Sequence, residues 1–375
     1  MTGVALPCSY RGLKIGVVGS GAGLCQALQQ LQRLQVPIVA VATHRSAQEE
    51  AESQELDAYR RLGWYHNLDG MAKRLGVSFV RTPDLNTEGC VRDLRACGVN
   101  LVLSVSAQVL RPAFLQAFSG FVFNIHGSAV YRGRAGLTWA ILNNLSADRV
   151  VLHWVASAID AGHVVADHPY EWPSRSYPID IMQAQYQAYG PLLVEFAAIL
   201  RAGRIPRGDP GNERKLYFPL IRGERDGAIQ WGWAPDAVDA FVRAFGWPYI
   251  GAYSHFRDSR GMSARVHIAR CEVLQAEPGS FHPFCNGVPV RYGPGDGVDI
   301  IVGGSLLRLL TVRNGWDEAP ARSVVRLGGR FVPSPEPAPP TATRPSAVHA
   351  GHEAANLDRH LEEDMAGVGG RPPHD

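Results

Sequence analysis

Between Leu13 and Thr43 the chain permits few folds. Leu13–Gly19 (LKIGVVG) is a short apolar run and reads as a buried strand. Glycine punctuates it at Gly19, Gly21 and Gly23, and Gly21–Leu34 then carries Leu24, Leu28, Leu31 and Leu34 at helical spacing. Val36–Thr43 (VPIVAVAT) is a second apolar run. Strand, glycine turn, helix and strand in that order open a parallel α/β sheet. The alternation continues with helices over Ala47–Leu62, Asn67–Leu75 and Glu88–Ala96, and a short strand at Val77–Val80. Val99–Val105 (VNLVLSV) is a central strand. Ser106–Leu110 follows as the loop at its C-terminal end, the edge where open α/β sheets place ligands. Pro112–Phe118 is a short helix. Residues 1–12 read as a loose leader.

The turn Gly19-Ser20-Gly21-Ala22-Gly23 approaches a dinucleotide fingerprint, in which a helix N-terminus faces phosphate. Its third glycine falls early, and Thr43-His44-Arg45 stands where an acid would hold an NAD ribose. A glycine turn that simply joins strand to helix explains the pattern as well. A phosphate-bearing substrate stays open here, and this turn alone supports the remote alternative of an NAD(P)-dependent oxidoreductase.

Chemistry concentrates in Phe121–Gly136 (FVFNIHGSAVYRGRAG). Phe121, Val122, Phe123 and Ile125 suit a buried strand. Asn124 and His126 are alternate residues, so both point to one face of it. An amide can donate to a developing oxyanion, and an imidazole can move a proton near neutral pH. Two polar residues capping a strand end are the bland reading of the same pair. A basic, glycine-rich loop follows, with Tyr131, Arg132, Gly133, Arg134 and Gly136.

Leu137–Leu145 is helical on Trp139, Ile141 and Leu142, and Val150–Ala156 is a strand. Ala158–Val165 (AIDAGHVV) is a turn centred on Asp160, where an aspartate ordinarily caps its own backbone. Ile179–Gly203 is a long helix with Met182, Tyr186, Leu193, Phe196 and Leu200 as its stripe, kinked at Pro191. Arg204–Arg225 reads as a linker. Pro235–Phe245 is a short helix, and short runs between glycine turns from Tyr249 to Val332 suggest a small β-barrel. After Val332 the Pro-, Ala- and His-rich sequence offers little to bury and reads as disordered.

With 375 residues, 46% hydrophobic and 19% charged, the chain can build two ordinary domains. A net charge of +2 creates no global demand for nucleic acid or an anionic membrane. Six cysteines without a CxxC pair argue against zinc or a disulfide framework and for a reducing, cytoplasmic setting. The N-terminus shows no signal-peptide pattern, and no stretch is long and apolar enough to span a bilayer. His126, His153, Asp160, His163 and His168 lie close in sequence, but no HxxxH or HExxH spacing joins them, so no metal is expected.

Asn124-Ile125-His126, with Tyr131-Arg132-Gly133 after it and Ile159-Asp160-Ala161-Gly162 downstream, resembles the 10-formyltetrahydrofolate-dependent formyltransferases. Ala228–Trp233 (AIQWGW) and Phe241–Tyr253 (FVRAFGWPYIGAY) resemble the start of that family's C-terminal, OB-like part. The resemblance covers nearly all of 13–332. It implies an α/β fold: a Rossmann-like parallel-sheet formyltransferase domain (13–205), a linker (206–226), an OB-like domain (227–332) and a disordered tail (333–375). It implies Asn124, His126 and Asp160 as the catalytic trio, with 10-formyltetrahydrofolate as co-substrate. The pterin is expected between Ser106–Leu110 and Ala156–Asp160, two segments expected at the C-terminal edge of the sheet. Ser106, Gln108, Val109, Leu110, Ile159 and Asp160 would hold it. Tyr131, Arg132 and Arg134 would face the acceptor, the arginines reading a phosphate or carboxylate. Two departures stand out: Gly127–Val130 is about two residues short of the family's loop and lacks its Leu-Pro, and Asn100 replaces a usual Asp.

The implied reaction moves a formyl group to a primary amine, with an amino-sugar nucleotide as the leading acceptor. An N-hydroxyornithine-type amino acid derivative and methionyl-tRNA are the alternatives. The near-neutral charge and the lack of a Lys/Arg-rich insertion near the site count against tRNA. A catalytically dead binding protein of this fold would not need all three polar residues. A homodimer stays open.

Overall fold

The first strands send alternate residues to opposite sides, and both sets are buried. Val17, Leu101, Leu103, Val105, Phe123 and Ile125 join one apolar cluster. Val18, Ala40, Ala42, Val102 and Val122 join a second on the other face. A sheet covered on both faces is the parallel α/β arrangement, as the alternation of elements requires. The computed structural model describes residues 3–45, 62–64, 67–209, 216–274, 281–314 and 317–333. All but the last residue of the helix expected over 47–62, the middle of the expected linker and nearly all of the tail lie outside these.

The sheet contains β1 (Ile15–Gly19), β2 (Ile38–Thr43), β3 (Ser78–Arg81), β4 (Leu101–Val105), β5 (Val122–His126), β6 (Ala147–Trp154) and β7 (Val164–Glu171). Their order is β3-β2-β1-β4-β5-β6-β7. The strands from β3 to β5 are parallel, whereas β6 is antiparallel to both β5 and β7. Strand order reverses between β1 and β4, the switch that opens a crevice at the carboxyl ends. Helices α1 (Gly21–Arg33), α2 (Leu68–Leu75), α3 (Glu88–Ala96) and α4 (Pro112–Ala117) connect the parallel strands, and α5 (Gly136–Leu142) precedes β6. The 24-residue α6 (Pro178–Arg201) runs through Pro191 as one element and buries Met182, Leu193, Phe196 and Leu200.

Two glycines of the first turn are set by packing. Gly19 has φ +144°, and a Cβ there would lie 1.8 Å from the Val105 carbonyl oxygen of β4. A Cβ on Gly23 would press on the Tyr186 ring of α6 at 3.1 Å.

Three pairings depart from the expectations above. Val164–Glu171 is a full strand, where only a turn ending at Val165 was expected. The supposed leader is anchored: Gly3–Ala5 pairs antiparallel with Arg204–Pro206, and Asn100 Nδ2 donates to the Gly12 carbonyl at 2.9 Å. Leu216–Phe218, from the expected linker, pairs parallel with Tyr131–Gly133. The last two are short segments whose partners lie far along the chain, so no local pattern announces them.

The second sheet contains β8 (Ala252–Arg257), β9 (Ser263–Val273), β10 (Pro289–Tyr292), β11 (Val298–Val302), β12 (Ser305–Asn314), β13 (Asp317–Pro320) and β14 (Arg330–Val332), and α7 (Pro235–Ala244) packs on β8, β9 and β12. Its antiparallel order is β10-β11-β12-β9-β8-β14, with β13 on β12. It curls as a half-barrel: Gly287, just before β10, donates to Ile301 and accepts from Phe331, both at 2.8 Å. Trp231, Phe241, Ile268 and Leu309 belong to the same apolar cluster as one face of the first sheet. Buried Asp239 on α7 pairs with Arg175 at 2.7 Å and Arg243 at 2.9 Å. Among the described residues, no helix is long and apolar enough to cross a membrane.

Gly19→Ala should destabilise the fold by about 3 kcal/mol, since it meets both a positive φ and a backbone clash. Gly76→Ala, at φ +66° with nothing within 4 Å, should cost only about 1 kcal/mol. Urea midpoints of the two variants check this; equal midpoints would show that β1 and β4 separate freely.

Candidate active site

Along β5 only Asn124 and His126 are not fully buried, as alternation requires. The antiparallel register sets His153 of β6 directly opposite Asn124. Directly opposed residues lie within contact distance, and Asn124 Nδ2 is 3.1 Å from His153 Nε2. His153 Nδ1 is 2.8 Å from the Trp154 carbonyl oxygen. A carbonyl only accepts, so Nδ1 carries the proton and Nε2 accepts an amide N–H from Asn124. The side-chain amide is thereby oriented and still has a second N–H to offer.

His126 is held in the same way. Its Nε2 lies 2.8 Å from the Tyr131 carbonyl oxygen, so Nε2–H is the donor. Its Nδ1 is 3.5 Å from Asp160 Oδ2, while Asp160 Oδ1 is 3.7 Å from His153 Nε2. Asp160 reaches beyond its own turn. Its Oδ2 accepts the Gly133 backbone N–H at 3.0 Å, 27 residues away. The side chains of His126 and Asp160 are 17% and 16% exposed and that of His153 only 2%, so an incoming molecule reaches the first two but not the third.

Because β6 is antiparallel, its following turn does not start at the edge where β4 and β5 end. It leaves beside Val122, with Val155 N–H bonded to the Val122 carbonyl at 2.9 Å, and folds back along the face that carries Asn124 and His126. The expectation of a shared C-terminal edge is corrected accordingly. The fold-back is tight: a Cβ on Gly162 would sit 1.6 Å from the Trp154 carbonyl oxygen. Asp160 itself adopts φ +47°, which aspartate tolerates better than most residues.

Ser106, at φ +51°, accepts the Ser20 hydroxyl on its carbonyl at 2.9 Å, joining the loops after β1 and β4. Gln108 bonds Asp84 and accepts the Leu85 N–H at 3.2 Å, so its side chain ties two loops together. Leu110 is buried at 5%, whereas Val109 is 43% exposed. Ala107, Leu110 and Val155 pack on one cluster, which brings the loop after β4 and the beginning of the fold-back to the same face. Ile159 uses its carbonyl to accept Arg132 Nε–H at 2.9 Å. The Tyr131 ring is buried against Phe218 at 4.6 Å, so this residue meets the site through its carbonyl. Arg134 is exposed.

His153, considered above only as a metal ligand, meets Asn124 through strand register, which no local period reports. Among the described residues, no group of three His, Cys, Asp or Glu is placed to hold a metal ion.

The arrangement is an oriented amide donor beside an imidazole–carboxylate pair, at the ligand-binding edge of a doubly wound sheet. No family model matches the chain. The fold is that of the folate-dependent N-formyltransferases. It is similar to an N-formyltransferase from Helicobacter canadensis in complex with folinic acid and dTDP-3-aminofucose: TM-score 0.54, 14% identity, 79% of this chain and 98% of that one. WlaRD, a sugar 3N-formyltransferase studied with dTDP and 5-N-formyl-THF, gives TM-score 0.52 at 16% identity, with 79% and 97% covered. HypX from Aquifex aeolicus in complex with tetrahydrofolic acid gives 0.51 at 14%, with 84% of this chain and 47% of that one covered.

Asp160→Asn keeps an acceptor for Gly133 and a residue type that tolerates positive φ, so it should change stability by less than about 1 kcal/mol. Asp160→Val puts a β-branched residue there and should cost about 2–3 kcal/mol. Melting temperatures of the pair decide; equal values would show that the Gly133 bond and the backbone strain are immaterial.

Proposed function

We propose that this protein is an N-formyltransferase that moves the formyl group of 10-formyltetrahydrofolate to a primary amine, and that the amine belongs to an amino-sugar nucleotide. The observation that carries the reading is the Asn124 amide, turned by His153, beside the His126–Asp160 pair. The folate supplies a formamide-like carbon for attack. Asn124 offers its second N–H to the oxyanion of the tetrahedral intermediate without itself ionising. His126 takes the proton of the attacking amine on Nδ1. Both ring N–H groups then have acceptors, the Tyr131 carbonyl and the Asp160 carboxylate. The proton passes by way of this pair to the leaving folate nitrogen as its bond to the formyl carbon breaks.

In this reading 13–205 is the catalytic part, 206–226 the linker and 227–332 an OB-like part, while the tail from 333 is dispensable. The pterin lies among Ser106, Gln108, Val109, Leu110, Ile159 and Asp160. Tyr131, Arg132 and Arg134 border the acceptor. Two structural neighbours, one with dTDP-3-aminofucose and one with dTDP, support a sugar nucleotide as the acceptor.

The test is incubation with 10-formyltetrahydrofolate and a panel of amino-sugar nucleotides, N-hydroxyornithine and methionyl-tRNA, followed by mass spectrometry. The gain of one formyl group by a sugar nucleotide is expected; transfer to another acceptor alone would overturn the acceptor, and none at all the activity. Asn124→Ala should lower kcat about 10²–10³-fold, roughly 3–4 kcal/mol of barrier. His126→Ala/Asp160→Ala should be hardly slower than His126→Ala, because a carboxylate that serves an imidazole is useless without it. Additive losses in that double variant would separate their roles.

A further inference from the structure

The mechanism leaves one buried acid unused. Asp148, near the start of β6, is 7% exposed. Its Oδ1 accepts the backbone N–H of Ala129 at 2.8 Å and of Arg149 at 2.7 Å, and its Oδ2 accepts the Ser128 hydroxyl. All three donors are neutral, and the structure shows no ion pair to Asp148 among the described residues. A carboxylate buried without a cation is costly to keep, so the fold retains it for what it holds.

What it holds is the shortened loop after His126. With its O–H committed to Asp148, the Ser128 oxygen can only accept, and it takes Val130 N–H at 3.1 Å and Tyr131 N–H at 2.9 Å. The other end of the loop is held independently. The Gly127 carbonyl accepts the Tyr170 hydroxyl at 2.6 Å and Gln185 Nε2–H at 2.9 Å. The outcome of both is the position of the Tyr131 carbonyl, 2.8 Å from His126 Nε2.

We propose that Asp148 is a positioning residue which, through Ser128 and the 129–131 backbone, decides which nitrogen of His126 carries the proton. The Tyr131 carbonyl claims Nε2–H, and the free electron pair of neutral His126 falls on Nδ1, the atom facing Asp160. The competing acceptor is the Asp160 carboxylate, but it stands 3.5 Å from Nδ1 against 2.8 Å for the Tyr131 carbonyl at Nε2, and its Oδ2 already takes the Gly133 N–H; His153 and Arg132 are tied to the Trp154 and Ile159 carbonyls. The proposal builds on the formyl-transfer reading only where kinetics are concerned.

Asp148→Asn is the sharp variant. It preserves volume and the acceptor for Ala129 and Arg149, but replaces the oxygen facing Ser128 by an N–H donor. Ser128→Ala is the second, milder variant. Imidazole nitrogen NMR of the full chain reads the tautomer without substrate, the His126 signal being identified by its loss in His126→Gln. The wild-type protein should show neutral His126 as the Nε2–H form, and both variants a mixture. Their kcat should fall about tenfold or more, with both KM values within about twofold of wild type. A wild-type Nδ1–H form, or an unchanged tautomer in whichever variant folds, would overturn the proposal. Absence of formyl transfer by the wild-type protein would sink the functional reading alone, because the tautomer comparison does not use the reaction.

Discussion

The reversal of one strand direction sets everything at the site. Had β6 continued the parallel order, its own side chains would have met β5 in another register and its following turn would have left beside His126. Running antiparallel, it sets His153 against Asn124 and obliges the chain to double back. The doubling back lets one carboxylate touch three segments: His126 on β5, His153 on β6 and the Gly133 amide in the loop between. The alignment of reactive groups is thus a property of main-chain pairing, and side chains refine it.

Hydrogen-bond direction then does what distance alone cannot. Two backbone carbonyls, at Trp154 and Tyr131, each claim one ring nitrogen of a histidine. Since a carbonyl cannot donate, each ring, when neutral, is left with one defined electron pair. One orients an amide; the other faces a carboxylate. Such preorganisation means that little has to rearrange as charge develops during reaction.

Much of the first sheet was legible because each of its strands and helices is a local period: Leu24, Leu28 and Leu31 on α1, or the unbroken apolar run of β4. Asn124 and His126 were legible for the same reason, being alternate residues of a strand. Asp160 and Gly133 both emerged through the resemblance to a family, while the bond between them did not. His153 was visible as a residue and invisible as a neighbour, since period says which face a side chain takes and never which strand lies beside it. β7 escaped because His168 and Pro169 interrupt its apolar run. Asp148 gave no signal at all: a lone aspartate before a strand reads as surface until burial is known.

The parallel pairing of Leu216–Phe218 with Tyr131–Gly133 has a consequence for how such a protein can change over time. The contact is made by peptide groups, which every residue but proline supplies in full. Leu216 is 69% exposed, so its identity is free to drift while the attachment persists. The segment that leads into the second half of the chain therefore stays fastened beside the reactive loop across a wide range of spellings. Phe218, whose ring packs on Tyr131 and Trp139, is the letter that two lineages sharing this fastening would still have in common.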